Sequence, residues 1–452
     1  MAHINYLDFD LKISAVGQQY RAEVLHSPGG EGRVDFSLPF EPKDLEILLL
    51  RMTRLRRKAR RLDSPELTAA RQLGGGLFQA VFQGTVRDCL HSSLGKVEEQ
   101  PQLGLRIKLR LQDAPDLADL PWEFLFDPDG GRFLAQSVQT PVVRYLELRE
   151  RIQPLKVDLP LHILGMVSSP LDYDPLDVKS EQERLHAVLG PLIQAGLVRI
   201  AWLAEASLDA LRQVLRAGRF HAFHFIGHGG FDQQTEQGVL ALVDKNGRSV
   251  LAGADRLGVL LHDHRTLRLA VLNSCEGARA TTGDPFASLA ASLVRQGIPA
   301  VTAMQFEISD RAACTFAEEF YAALAQGYPV DAALAEARKA IYCLPEDVEW
   351  GTPVLYMRSP DGVLFDVVEQ PSAISDQPAA GSGQGDGVER PVGQPGEPAV
   401  VKVAPEKLLT AAEKAAVQAR PDPASPVVVQ PKAPHPLAEL STFIHIPERN
   451  FW

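Results

Sequence analysis

Cysteine is scarce. The 452-residue chain has four, Cys89, Cys275, Cys314 and Cys343, with no CxxC spacing and no dense framework. That excludes a disulfide-stapled scaffold and points to free thiols in a reducing compartment. Long apolar runs are missing too: no stretch of about 18 uncharged apolar residues occurs, so no membrane span is expected. The opening Met1-Ala2-His3-Ile4-Asn5-Tyr6 has no basic segment followed by an apolar one, so no secretory signal is expected. Positive charge is in deficit, with 46 Lys and Arg against 57 Asp and Glu and a net charge of −11. Direct nucleic-acid binding is therefore not expected, and a cytoplasmic protein is. Gly74-Gly75-Gly76 reads as a loop ahead of a helix, but no GK[ST] follows, which excludes a phosphate loop.

What is present is ordinary for a soluble globular protein: 45% hydrophobic and 23% charged residues. Residues 9–13 and 19–24 alternate as strands before a Ser27-Pro28-Gly29-Gly30 turn. Leu45, Leu48, Leu49 and Met52 share one face of a helix over 42–62. The arginines that follow, Arg51 to Arg61, read as a solvated face, with an acidic-partner patch as the alternative. A helix is expected over 77–90, and strands at 105–111 and 142–148. From residue 161 strands and helices alternate, which argues for a parallel sheet covered on both faces. Asn246-Gly247 predicts a hairpin between 239–243 and 249–251. Cys89, Cys314 and Cys343 read as small buried packing residues. Beyond residue 368 Pro, Gly, Ser, Gln and Ala dominate, the composition of a flexible linker.

The fold expected is α/β, a parallel-rich sheet with helices on both faces, plus an N-terminal α+β region and a disordered tail. The expected divisions are 1–75, β-rich and helical; 76–155, accessory; 156–367, the sheet domain; 368–434, linker; and 435–452, an apolar tail.

Two apolar strands carry the chemistry. Phe220 to Gly227 ends in His228-Gly229-Gly230, and Leu267 to Ser274 ends in Cys275. In an open α/β sheet, sites form beyond the carboxyl ends of the strands. A thiol and an imidazole there make a nucleophile and its base. Gly229 and the Cys275 amide offer N–H groups for an oxyanion. No third residue is assigned; Asp232 and Glu276 lie nearby in sequence. A zinc site of His221, His224, His228 and Cys275 is disfavoured, because residues three apart on a strand face opposite sides. No cofactor and no metal are expected.

His224-Phe225-Ile226-Gly227-His228-Gly229 with Leu272-Asn273-Ser274-Cys275 resembles the CHAT domain, a caspase- and separase-like peptidase family. The resemblance extends to Leu120-Pro121-Trp122-Glu123, to residues 304–313 and to 350–356, and covers about residues 75–366. The separation of 275 − 228 = 47 residues is similar to the roughly 50 of caspases. The resemblance implies a caspase-like fold and a His228–Cys275 dyad with Gly229 at the oxyanion. It also implies a protein substrate and a regulatory protein partner. A bacterial stress or defence role is expected. A caspase-like interaction scaffold with little peptidase activity is the alternative. In such folds the loops after the first strand, the cysteine strand and the next strand build the pocket for the residue before the cut. Here those loops contain Asp172, Asp174, Glu307 and Asp310, which implies a basic P1 side chain. Asp310 is alternatively a cap for the helix from Arg311.

Overall fold

The computed structural model describes residues 4–52, 64–148, 152–232, 234, 237–274, 285–344 and 348–368. The arginine stretch from Arg54 to Arg61 and everything beyond residue 368 lie outside them. The chain opens with an antiparallel trio, β1 (Asn5–Val16), β2 (Gln19–His26) and β3 (Gly32–Phe36), then α1 (Pro42–Met52). Two helices follow, α2 (Pro65–Val81) and α3 (Gly84–Glu98), then β4 (Leu103–Asp113) and the short α4 (Pro115–Ala118). A small hairpin, β5 (Phe126–Asp127) and β6 (Arg132–Phe133), leads to β7 (Val142–Tyr145) and β8 (Leu155–Asp158).

The alternating half begins at β9 (Leu161–Val167), with α5 (Val178–Val188), α6 (Gly190–Gln194), β10 (Val198–Trp202) and α7 (Leu208–Ala217). Next come β11 (Ala222–Gly227) and a three-stranded sheet of β12 (Gly229–Asp232), β13 (Gln237–Val243) and β14 (Ser249–Gly253). After α8 (Ala254–His262) run β15 (Leu269–Ser274), α9 (Pro285–Arg295) and β16 (Ala300–Met304). Helices α10 (Asp310–Ala325) and α11 (Val330–Tyr342) precede β17 (Pro353–Met357) and β18 (Phe365–Val368).

One sheet of 11 strands runs through all of this, in the order β10-β9-β11-β15-β16-β17-β7-β4-β1-β2-β3. The division at 75/76 falls inside α2 and that at 155/156 inside β8, and strands from all three of those segments contribute to this sheet. The pairs from β10 to β16 are parallel, β17 is antiparallel to β16 and parallel to β7, and β4 is parallel to β1. Both faces are covered, which is why the central strands read as continuous apolar runs. Ala222, Ile226, Leu269 and Val271 join one core with α10 and α11, while Phe223, Phe225, Ala270 and Leu272 join another with α8 and α9.

Gly74-Gly75-Gly76 does not precede a helix; it lies inside α2. Ser64 caps α2, accepting from the Leu67 amide at 3.0 Å, and Pro65 fills its first turn. Gly74 is a packing notch: a Cβ there would stand 1.7 Å from the Phe124 carbonyl oxygen. The helix expected over 77–90 is two helices parted at Phe82-Gln83.

The outlying motif segments meet in a buried ion network. Arg144 on β7 donates to Glu123 at 2.9 and 3.1 Å and to the Tyr356 hydroxyl at 2.9 Å. Gln305 donates to Glu123 at 3.1 Å and to the Gly351 carbonyl at 2.8 Å. Phe124 and Trp350 pack edge to face at 4.9 Å. No helix among the described residues is long and apolar enough to cross a membrane.

Candidate active site

Strands β11 and β15 lie side by side, in register from Ala222↔Leu269 to Gly227↔Ser274. His228 follows β11 directly and stands at the carboxyl end of the sheet. Gly227 lets the neighbouring loop close in, since a Cβ there would come within 2.9 Å of the Ser168 carbonyl oxygen. Ser168 stitches that loop down: its amide donates to the Ile226 carbonyl at 2.9 Å and its hydroxyl to the Ala241 carbonyl at 2.6 Å.

His228 is 3% exposed. Its carbonyl accepts from the Ala241 amide at 3.0 Å, and its ring lies 5.2 Å from the ring of Tyr173 at 55°. Nδ1 is buried without a hydrogen-bond partner among the described residues. Burial pushes the imidazole pKa below its ordinary value, and the carboxylate of Asp174 pulls it back in part. Burial thus favours the neutral ring, whose unprotonated nitrogen is what a general base needs.

Cys275 and Glu276 lie outside the described residues. Ser274, the residue before Cys275, is the register partner of Gly227, the residue before His228. Gly229 opens β12, paired with Leu240 of β13, and is half-buried. The thiols of Cys89 and Cys314 are both pushed up by burial, so neither is activated. Cys89 packs in the core as expected; Cys343 is exposed, because the chain turns out of α11 there.

The four acids named from the sequence do not converge. Asp172 accepts from the Ser249 amide at 2.8 Å and its hydroxyl at 2.6 Å, and those bonds hold its carboxyl below the usual range. Asp174 is exposed, and its charge reaches His228. Glu307 is half-buried between β16 and α10. Asp310 is the first residue of α10, not its cap; Ser309 is the cap, accepting from the Ala312 amide at 3.2 Å. Asp310 instead pairs with Arg184 at 2.5 Å.

That pair opens onto a cleft of about 410 Å³, solvent at its mouth included, lined by Glu181, Arg184, His224, Asn273, Asp310 and Cys314 among others. Arg184 bridges Glu181 and Asp310. Burial pushes the Glu181 carboxyl above its usual value. Asn273, two residues before Cys275, has its Oδ1 buried and unpartnered among the described residues.

His221 and His224 have separate partners. The Nδ1 of His221 accepts from the His162 amide at 2.9 Å, and His224 Nδ1 meets the Tyr321 hydroxyl at 2.9 Å. Sequence reasoning missed Tyr173, Glu181, Arg184 and Asn273. Tyr173 lies between two acids already named. Glu181 and Arg184 share a helix face at i, i+3, a weak pattern on a solvated helix.

A family model described as the CHAT domain matches residues 71–379, and the resemblance read over about 75–366 falls within it. A search of the curated proteins found no match. Among solved structures, two crystal structures of the Saccharomyces cerevisiae separase–securin complex are similar, with TM-scores of 0.43 and 0.41 and identities of 11% and 12%. Each match covers 78% of this chain and 30% of the matched chain, so the chain spans under a third of the length of those relatives.

Proposed function

This chain belongs to the CHAT domain family, and from that membership we propose that it is a cysteine endopeptidase that cuts a protein partner. The single observation that carries the reading is the pairing of Gly227 with Ser274. It aligns the strand end before His228, whose buried Nδ1 has no partner among the described residues, with the strand whose last residue precedes Cys275 in sequence.

In this reading His228 takes the proton from the Cys275 thiol, and the thiolate attacks the scissile carbonyl carbon. The amides of Gly229 and Cys275 hold the resulting oxyanion. Collapse breaks the C–N bond, and the amine leaves with the proton carried by His228. Water, deprotonated by the same imidazole, then hydrolyses the thioester and frees Cys275.

The side chain before the cut enters the cleft beside Asn273. Asp310 lines it and Glu181 adds a second carboxylate, against one guanidinium from Arg184, so the cleft favours a basic P1 residue. The same Arg184 bridge favours a second reading. A cleft whose two carboxylates are both already engaged from within suits a caspase-like scaffold that binds proteins and cuts little or nothing. On the first reading the enzyme works in the reducing cytoplasm of a bacterium, held in check by a regulatory protein, in stress or defence.

The test is a proteome-wide comparison of new protein N-termini in cells expressing the wild type and Cys275→Ala. Cuts made by the wild type alone, with Lys or Arg before them, support the peptidase. Identical N-termini in both, with the genomic neighbours co-expressed, favour the scaffold.

A further inference from the structure

The loop from β9 to α5 contains three of the residues around His228, and it is fastened at several points. Ser168 bonds to Ile226 and Ala241, the Leu171 amide donates to the Gly247 carbonyl at 2.9 Å, and Asp172 accepts twice from Ser249 on β14. The Leu176 amide closes the loop on the Ser169 hydroxyl at 2.9 Å. β13 and β14 belong to the same small sheet as β12, the strand that leaves His228. Loop and histidine are thus anchored on one frame.

The sequence offers Asp172 and Asp174 as acids for a substrate side chain. Their surroundings suit another task. Asp172 spends both oxygens on Ser249. The next residue, Tyr173, lays its half-buried ring against the imidazole at 5.2 Å. The residue after that, Asp174, is the charged group whose field reaches His228 among the described residues.

We propose that Tyr173 is a positioning residue for His228, its ring held against the imidazole by the Asp172–Ser249 tether, and that Asp174, next in the same loop, supplies a carboxylate nearby. Tyr173 walls the imidazole and limits its rotation, and Asp174 stabilises the imidazolium formed when the thiol gives up its proton. Asp172 acts through the tether, one step further out. The proposal rests on the reading of His228 as the base.

The test uses the full chain labelled with ¹³C-histidine, with the His228 resonance assigned by its loss in His228→Gln. Its titration midpoint is compared in wild type, Asp174→Asn, Tyr173→Ala, Tyr173→Phe and Asp172→Ala, each checked for an unchanged thermal melt. In parallel, the rate of Cys275 alkylation by iodoacetamide is followed against pH. Asp174→Asn lowers the His228 midpoint, the effect of removing a nearby anion. Tyr173→Ala and Asp172→Ala move both the midpoint and the alkylation profile, and Tyr173→Phe restores what Tyr173→Ala loses. Midpoints that stay put in folded Asp174→Asn and Tyr173→Ala overturn the proposal. The dyad reading fails separately: Cys275 alkylation indifferent to His228→Gln removes the base, while a midpoint that still follows Asp174 leaves the positioning intact.

Discussion

Two histidines four residues apart meet opposite fates. His224 is fully enclosed on the α10 face, bonded to Tyr321, and burial takes its pKa down to about 4. The unfolded chain, with an ordinary value of 6.5, binds the proton more tightly than the folded one. Stability from keeping His224 neutral is thus complete above about pH 6.5 and is lost as the pH falls toward 4, by about 1.4 kcal/mol per pH unit. His224→Gln is expected to flatten the fall of urea-unfolding free energy across that window by this slope. At the same scale, Glu123→Ala strands the buried Arg144 guanidinium and is expected to cost about 3–5 kcal/mol, read from denaturant midpoints. His224 sits in an apolar run, where a polar ring has few places to go but the core. Glu123 carried no such mark; it lies in a short 3-10 turn, and its partner Arg144 comes 21 residues later on β7.

Helix α2 teaches the same lesson about elements. Three glycines in a row read as a loop because their backbone entropy opposes a helix. The structure puts them in one, because Gly74 must pass against the Phe124 carbonyl with no room for a methyl group. Gly75, one residue on, has its nearest neighbour, the Phe126 ring, at 3.9 Å from the would-be Cβ. Gly75→Ala should therefore stabilise the protein by about 0.5–1 kcal/mol. Gly74→Ala should destabilise it by about 2 kcal/mol or more, since a clash with backbone has no rotamer to escape into. Thermal melts of the two variants should move in opposite directions; movement the same way would contradict the packing. The α/β alternation beyond residue 161 was legible because buried parallel strands leave uninterrupted apolar runs. The hairpin at Asn246-Gly247 was legible from its turn chemistry, whereas the Ser309 cap was hidden behind the acid that follows it.

At the scale of the molecule, the N-terminal strands are part of the main sheet, not an appendage to it. Arg106 on β4 reaches Asp331 on α11 at 2.5 Å and Asp8 on β1 at 3.3 Å, and Lys108 reaches Asp8 at 2.7 Å. Arg106 and Asp331 are both buried. A chain starting at residue 76 would lose β1 and Asp8, leaving β4 as an edge beside charges it cannot satisfy. It should be insoluble or lack a cooperative urea transition, and a soluble, cooperatively unfolding fragment would count against this account. None of this was visible in the sequence, since parallel pairing over such separations leaves no local periodicity to read.

Strand β17 has one more consequence, for the order in which the protein is made. It is the strand that joins β16 to β7, and so the sheet half holding His228 to the half built from the first residues. Yet Pro353–Met357 is among the last described segments to leave the ribosome. Until it is made their facing edges stay unpaired, β7 from residue 145 onward and β16 from residue 304. A nascent chain stalled before Pro353 already carries His228 and Cys275 but lacks the strand that completes the frame around them.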